Sequence, residues 1–276
     1  MEEVLGNEFT WWMGVVEDRD DPLKLGRCRV RIYHWHTEDT SQLPTDKLPW
    51  AQPMCPITNG ATQNIGETPL GIQVGTWVVG FFMDGQLAQK PMIMGTIAGI
   101  PGAEPDTNRL ARNDAEFPPL NPDLKNAERE LGIFTSKGTF WNEPESPYAA
   151  EYPFNKVEET ESGHIRETDD TPNHERIHEY HTAGTFYEID ENGQKVTKVV
   201  NDNYEITLGD DYVYVSGTCN ITVGGNANVR CLNADVLALN DIDVAAVNSI
   251  DMLAGGTINI VSGTNIQLAA PRIDFN

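Results

Sequence analysis

Apolar and polar residues alternate in short runs over residues 9–100. Along Cys28–Trp35 the apolar side chains fall on one face and the arginines on the other, which predicts a half-buried β-strand. Trp11–Glu17 has the same character, and so do two glycine-punctuated stretches, GIQVGTWVVGFFMDG and KPMIMGTIAGI. About five short strands without a helical period predict a small closed β-barrel of the OB type, which we place at residues 1–102.

The pattern changes twice after the predicted barrel. Proline, asparagine and charged residues concentrate in residues 103–147, which is the composition of an extended linker. Alternation returns over residues 148–206 and is interrupted at Ala183-Gly184 and at Glu191-Asn192-Gly193. Since Asn-Gly between two β runs is a strong hairpin signal, we expect β-hairpins here that lead into the last segment.

The last segment, residues 207–276, repeats every eight residues. When it is written in rows of eight from Thr207, one column is apolar in every row and another holds only small or turn-forming residues. The first predicted turns fall at Gly209, Gly217, Gly225 and Asn233. An internal period of this kind predicts the stacked coils of a β-solenoid.

The length of the repeat bears on how many chains build the solenoid. Each row supplies a strand of about five residues and one corner, and a single chain that wound around three sides would repeat after about 24 residues. Three identical chains make the sides equivalent, so the eight-residue period favours an intertwined, triangular, homotrimeric β-helix. A highly regular single-chain helix fits the same repeat. The predicted core of the β-helix consists of Val213, Val215, Ile221, Val223, Val229, Cys231, Leu237, Ile258, Ile260, Ile266 and Leu268.

The apolar positions change parity along the repeat. They are odd-numbered in the early rows and even-numbered in the late rows. Because side chains alternate across a strand, a shift of one residue reverses which side faces inward. We therefore predict a bulge or a change of corner between about Asn233 and Asp243, with the fold continuing on both sides of it.

Composition excludes several classes of partner. The chain has 42 acidic and 19 basic residues, and its net charge of −23 argues against binding to nucleic acid or to an anionic membrane surface. No apolar run approaches the roughly 20 residues that span a bilayer. The N-terminus lacks the basic region of a signal peptide, so we expect a protein used without general secretion. The four cysteines show no metal-ligand spacing, and we expect buried, reduced thiols.

No residue pattern indicates catalysis, a cofactor or a metal. His174, His178 and His181 have the spacing of helical metal ligands, but they fall in a predicted strand, where we expect a solvated surface. His34 and His36 share one face of a predicted barrel strand, and we expect them to be surface residues as well. The acidic clusters lack a surrounding cleft, and no nucleophile elbow, phosphate loop or dinucleotide fingerprint occurs.

Several stretches resemble the central spike of T-even-like contractile-tailed bacteriophages. GVVEDRDDPLKLGRCRVRIYHWH and PTDKLPWAQPMCPIT are similar to the N-terminal OB domain of that family. ETESGHIRETDDTPNHERIHEYHTAGTFYEIDENG and VVNDNYEITLGD are similar to the segment where the chain enters a trimeric β-helix, and PRIDFN is similar to the family's C-terminal end.

The resemblance implies a structural, homotrimeric spike in the baseplate of a virion tail, assembled in the host cytoplasm. Its OB domain would dock to a hub ring protein, its β-helix would pierce the host envelope in transient contact, and a cap protein would cover the C-terminal tip. Well-known members carry a lysozyme domain between barrel and β-helix. Gly102–Pro147 is too short for that domain, so we expect no enzymatic activity.

Two alternatives to the phage spike stay open. One is the spike of a secretion system or phage-like particle that delivers effectors. The other is an envelope-degrading enzyme with a minimal active site in the hairpin region.

Overall fold

Five strands near the N-terminus close into a barrel. The structure is a computed structural model that describes residues 10–63, 65–99, 132–134, 140–270 and 272–273. Antiparallel pairs join the barrel strands in the order β1-β2-β3-β5-β4, except for a parallel pair between β3 and β5. This arrangement confirms the predicted closed barrel of five strands. The strands are β1 (Trp11–Asp18), β2 (Cys28–Ile32), β3 (Trp50–Pro53), β4 (Trp77–Phe82) and β5 (Pro91–Ile97).

Alternate residues of these strands form the barrel core. Val16, Ile32 and Val78 are completely or almost completely buried, whereas their neighbours along each strand point outward. The strand interior also requires a glycine at one position. A Cβ on Gly80 would lie 2.0 Å from the carbonyl oxygen of Met92 and 2.5 Å from the ring of Trp12, so no larger residue fits without displacing its neighbours.

A second, antiparallel sheet follows in simple up-and-down order. The hairpin turns predicted from the glycines are present, because Gly184 and Gly193 adopt the left-handed conformation that such turns require. Two further short strands, β6 (Ile133–Phe134) and β7 (Phe140–Trp141), pair with each other, and most of the predicted linker lies outside the described residues. The sheet consists of β8 (Asn155–Glu159), β9 (Ile165–Asp169), β10 (Arg176–Tyr180), β11 (Phe186–Ile189) and β12 (Lys195–Lys198).

The segment with the eight-residue repeat, which we call the octad segment, forms no sheet within one chain over its described residues 207–270 and 272–273. Residues 199–270 contain no assigned strand, all of them are exposed, and they form no backbone–backbone hydrogen bond with one another. The chain divides into two compact units, Met1–Thr222 and Val223–Asn276. The described residues include no helix of the length and apolarity needed to cross a membrane. The all-β class is therefore confirmed, while the C-terminal β-helix stays a prediction.

Candidate functional site

Regular bends divide the octad segment into rows. Pairs of bent residues occur at 208–209, 216–217 and 224–225, so Gly209, Gly217 and Gly225 each close a bend. Later pairs follow at 239–240, 247–248, 255–256 and 263–264, again eight residues apart. Asn233 is not part of a bend, because the bend of its row lies one residue earlier, at Leu232. Eight-residue rows are thus built into the backbone of the single chain.

One row is a residue shorter than the others. Leu232 is the single bent residue between the bends at 224–225 and 239–240, and these two bends are fifteen residues apart instead of sixteen. This shortening matches the parity change in the sequence, and its location between Gly225 and Asn240 overlaps the stretch from about Asn233 to Asp243 where we expected a change. A row of seven residues moves the apolar positions from odd to even numbers. Because side chains alternate across a strand, the apolar column then faces the same way in the early and the late rows.

Counting from the bends gives a uniform column of apolar residues. The fourth residue after each bend is aliphatic or Met in all eight rows. In the row after Leu232 this residue is Val236, whereas a strict count of eight residues from Val229 gives Leu237. Most of these side chains are strongly exposed in the single chain, as Val213 at 81% and Val229 at 90% illustrate. The column consists of Val213, Ile221, Val229, Val236, Val244, Met252, Ile260 and Leu268.

The remaining predicted core residues are also uncovered. Val215 and Val223 are about half exposed in the single chain, and Cys231 is exposed. The cysteines depart from the expected burial, because of the four only Cys28 is fully buried. Burial raises the pKa of the Cys28 thiol to about 11. No described residue of the same chain covers the aliphatic column.

The second sheet carries buried charges on one face. Arg176 donates from Nη2 to Glu167 and from Nη1 to Glu188 Oε2 at 2.9 Å, and all three side chains are at most 5% exposed. Nδ1 of His178 lies 3.4 Å from Glu167 Oε2. Asn155 Nδ2 donates to the other oxygen of Glu167 at 2.6 Å. These contacts link four strands through their side chains, in addition to the backbone ladder.

The pKa of Glu167 reports the balance of these contacts. Burial itself raises the pKa of this carboxyl group. The hydrogen bond with His178, the positive charge of Arg176 and the hydrogen bond from Asn155 outweigh burial and lower the pKa to about 2. The charged form of Glu167 is therefore the stable one at neutral pH.

The segment before β8 covers this face of the sheet. The ring of Tyr148 lies 4.9 Å from the guanidinium carbon of Arg176, and the backbone N–H of Glu151 donates to Thr171 Oγ1 at 3.0 Å. Glu143 accepts from Lys198 Nζ at 3.0 Å. Sequence reasoning missed this arrangement, because inward-facing charges on alternating positions have the same pattern as a solvated strand face.

The histidines do not lie where the sequence placed them. His178 is buried within β10, whereas His174 and His181 lie outside that strand and are exposed. His34 and His36 follow β2 instead of belonging to it, because the strand ends at Ile32. No group of three His, Cys, Asp or Glu side chains in the described part of the chain is placed to hold a metal ion.

The loop between β1 and β2 is organised by one buried carboxylate. Asp21 accepts hydrogen bonds from the backbone N–H groups of Leu23, Leu25 and Arg27 and from the guanidinium of Arg27. The hydrogen bond from the Arg27 side chain is the main cause that holds the pKa of Asp21 well below its usual range. The acidic Asp-Pro stretch is therefore a structured loop of the barrel.

The barrel and the second sheet meet through an exposed polar contact. Arg19, at the end of β1, donates to both oxygens of Glu161 at 2.5 and 2.8 Å, and Gln73 Nε2 donates to the same carboxylate at 2.6 Å. The hydrogen bond from Arg19 lowers the pKa of Glu161. The contact is exposed to solvent, which weakens its contribution to stability.

A family match and two relatives connect the chain with phage Gp5 proteins. The chain matches the family described as the Gp5 N-terminal OB domain over residues 33–179, a stretch that begins after β2 and ends within β10. It is 40% identical over 259 residues to Protein Gp5 of Vibrio phage KVP40, covering 75% of this chain and 61% of that protein. It is 42% identical over 113 residues to Pre-baseplate central spike protein Gp5 of Enterobacteria phage T4, covering 39% of this chain and 19% of that protein. The chain thus spans less than two thirds of the length of either relative.

Proposed function

The chain belongs to the Gp5 OB-domain family, whose T4 member is named as the pre-baseplate central spike protein, and we propose that it is a homotrimeric structural spike of a phage tail baseplate. The carrying observation is the column of aliphatic side chains that recurs with every bend and that one chain leaves exposed. Such a column is stable in water only when other chains cover it, since each buried side chain of this size contributes about 1.5–3 kcal/mol.

The backbone of the octad segment supports the same proposal. Residues 199–270 form no backbone–backbone hydrogen bond with one another in the single chain. Backbone N–H and C=O groups that leave water must find partners, and strands of two other copies supply them in an intertwined β-helix. Three copies make each row one side of a triangular prism with the aliphatic column inside. A prism of this kind is stiff because it leaves few free strand edges.

The two ends of the spike have different tasks in this proposal. The OB barrel docks to the hub ring protein of the baseplate. The β-helix formed by the three octad segments, which we call the shaft, passes through the host envelope when the sheath contracts. A cap protein at the C-terminal end sharpens the tip. The chain acts mechanically, and wall cleavage, where it is needed, belongs to another protein.

A pair of substitutions tests the shaft. Val223 lies two residues beyond the column residue Ile221 on the same strand face, so Val223→Asp would bring three carboxylates near one axis in a dry core. Burial of an uncharged polar group without a hydrogen-bond partner already costs roughly 2–7 kcal/mol, an ionised carboxylate costs more, and mutual repulsion adds to it. Asn228→Asp, at a position of opposite parity, is the matched control. We expect Val223→Asp to lose the SDS-resistant trimer and Asn228→Asp to keep it, and equal tolerance of both changes contradicts the prism.

A further inference from the structure

A pocket of about 440 Å³ opens on the outside of the barrel, between β1, β4 and the turn after β2. The rings of Tyr33 and Trp77 line it with centroids 6.4 Å apart and planes at 61°. Tyr33 is 47% exposed, and Trp77 is half-buried. The volume is that of a pocket for a small ligand or for one large side chain of a partner.

The turn that carries Tyr33 is held in a fixed conformation. The N–H of Tyr33 donates to the carbonyl of Met13 at 2.8 Å, and the N–H of Ile32 donates to Nδ1 of His36 at 3.0 Å. His34 has a left-handed backbone with φ of 63°, and its ring centroid lies 4.1 Å from that of Tyr33. A non-glycine residue in this conformation persists only where the surrounding contacts enforce it, so the aromatic wall is preorganised.

The free charge in the pocket is negative. Arg31 lines the pocket, but its guanidinium donates to Glu17, to the carbonyl of Thr37 and to the carbonyl of Leu43, and its side chain is 9% exposed. Glu38 is exposed and has no ion pair with any described residue. Burial lowers the pKa of the half-buried His36, which keeps that ring neutral at neutral pH. Among the described lining residues the guanidinium of Arg31 is already paired, so a cationic ligand is favoured, since it finds the carboxylate of Glu38 and two aromatic rings.

We propose that this pocket receives one basic side chain, Arg or Lys, from a different protein of the baseplate when the barrel docks. The cation contacts the aromatic rings and pairs with Glu38, a combination that strengthens as water leaves the interface. Charge complementarity selects the occupant, because the described lining supplies the carboxylate of Glu38 and two aromatic rings, whereas the guanidinium of Arg31 is already paired. This inference rests on the proposed baseplate role and adds the anchor through which the barrel recognises its neighbour.

The test measures the Kd between the full-length trimer and the purified hub ring protein of the same phage. We expect Glu38→Gln to weaken binding about fivefold and Tyr33→Leu to weaken it by at least as much. Glu67→Gln is the matched control, because Glu67 is an exposed acid of the loop between β3 and β4 whose carboxylate forms no hydrogen bond or ion pair with a described residue. Glu38→Lys should abolish binding, and reversing the contacting basic residue on the ring protein to Glu should restore it.

The outcomes separate the inference from the proposed function. If wild type does not bind the ring protein, the docking role itself is wrong. If wild type binds and both pocket variants bind within twofold of the Glu67→Gln control, the pocket inference is wrong and the docking role stands. If Glu38→Gln instead abolishes association between trimers, the occupant is a second copy of this chain and the inference is overturned.

Three neighbouring residues of the second sheet have buried polar atoms without a hydrogen-bond partner among the described residues. Asn155, Asp169 and Arg176 are direct cross-strand partners on β8, β9 and β10 and form one buried rung. Each has one buried polar atom without a hydrogen-bond partner among the described residues, namely Asn155 Oδ1, Asp169 Oδ2 and Arg176 Nε. Their other polar atoms bond to Glu167, Thr171 and Glu188. The rung thus offers two acceptors and one donor.

We infer that one buried water molecule occupies this rung. Water accepts from Arg176 Nε–H and donates to the two oxygens, which makes the three hydrogen bonds typical of an internal water. A metal cation is disfavoured by the guanidinium, and an anion is disfavoured by the carboxylate of Asp169. A high-resolution crystal structure of the full chain should show one water within hydrogen-bond distance of all three atoms. A dry gap, a bound ion or a direct bond from Arg176 Nε to Asp169 overturns the inference.

Discussion

Replacing Arg176 with methionine would remove the positive charge from the buried face of the second sheet. The substitution leaves Glu167 and Glu188 without their shared cation in a site where their side chains are at most 5% exposed. Removing one partner of a buried pair costs about 3–5 kcal/mol, because the remaining charge is desolvated and uncompensated. We expect a loss of this size in the stability of the sheet.

Arg166→Met provides the matched control within the same sheet. Arg166 pairs with Glu179 at 3.1 Å, but these two side chains are 69% and 46% exposed. Exposed pairs contribute at most about 1 kcal/mol. Both variants lose one arginine, but Arg176→Met breaks two buried ion pairs and Arg166→Met breaks one exposed pair, so the comparison contrasts buried with exposed pairing.

The effect of Arg176→Met should depend on pH. In the folded wild type the pKa of Glu167 is lowered from 4.5 to about 2, so its ionised form stabilises the sheet above pH 4.5. This contribution, an upper bound of roughly 3 kcal/mol, is lost as the pH falls through the folded pKa. Without Arg176 the buried carboxylates hold protons more readily. The difference between variant and wild type should therefore narrow when the pH is lowered from about 7 to about 4.

Hydrogen–deuterium exchange of peptides from β9 to β11 measures this stability locally, after correction for intrinsic exchange at each pH. The expected result is a large loss of protection in Arg176→Met and little change in Arg166→Met at neutral pH. Equal protection in the two variants, or a difference that does not respond to pH, would show that the buried ion pairs do not hold the sheet.

Three further predictions concern the shaft, the barrel and the absence of catalysis. Val236→Asp should abolish the SDS-resistant trimer, because Val236 belongs to the aliphatic column, and Leu237→Asp should weaken the trimer less. A larger loss of trimer in Leu237→Asp than in Val236→Asp would show that the seven-residue row is misplaced. Gly80→Ala should destabilise the barrel by about 1–3 kcal/mol in thermal unfolding, because the added Cβ would overlap the backbone of β5. Gly95→Ala is the control, because a Cβ at Gly95 has no atom within 4 Å. Equal melting temperatures of the two variants would refute the close packing at Gly80. The purified chain should not cleave peptidoglycan in zymography, and measurable lysis would favour the enzymatic alternative.

Strand alternation and turn residues predicted the outline of the fold. The alternating faces of β1, β2 and β4 are visible in the sequence because the barrel buries every second side chain. The hairpins of the second sheet follow from Ala183-Gly184 and Asn192-Gly193, where glycine permits the left-handed turn conformation. The parallel pairing of β3 with β5 was not predictable, because no local signal encodes which distant strands meet.

The features that the sequence concealed involve inward-facing charges and register. Glu167, Arg176 and Glu188 alternate along their strands as solvated residues would, and only their mutual pairing makes burial possible. The strand of the barrel ends before His34 because the backbone turns there into the left-handed region. The seven-residue row was visible only as a change of parity, and the bends locate it between Gly225 and Asn240.

The central claim is that three chains cover the aliphatic column of the octad segment. Gel filtration with light scattering on the purified full-length chain tests it directly, since it measures mass without assuming shape. We predict a single species of three times the chain mass of 30.6 kDa that persists at micromolar concentration. A stable monomer under the same conditions would contradict the account.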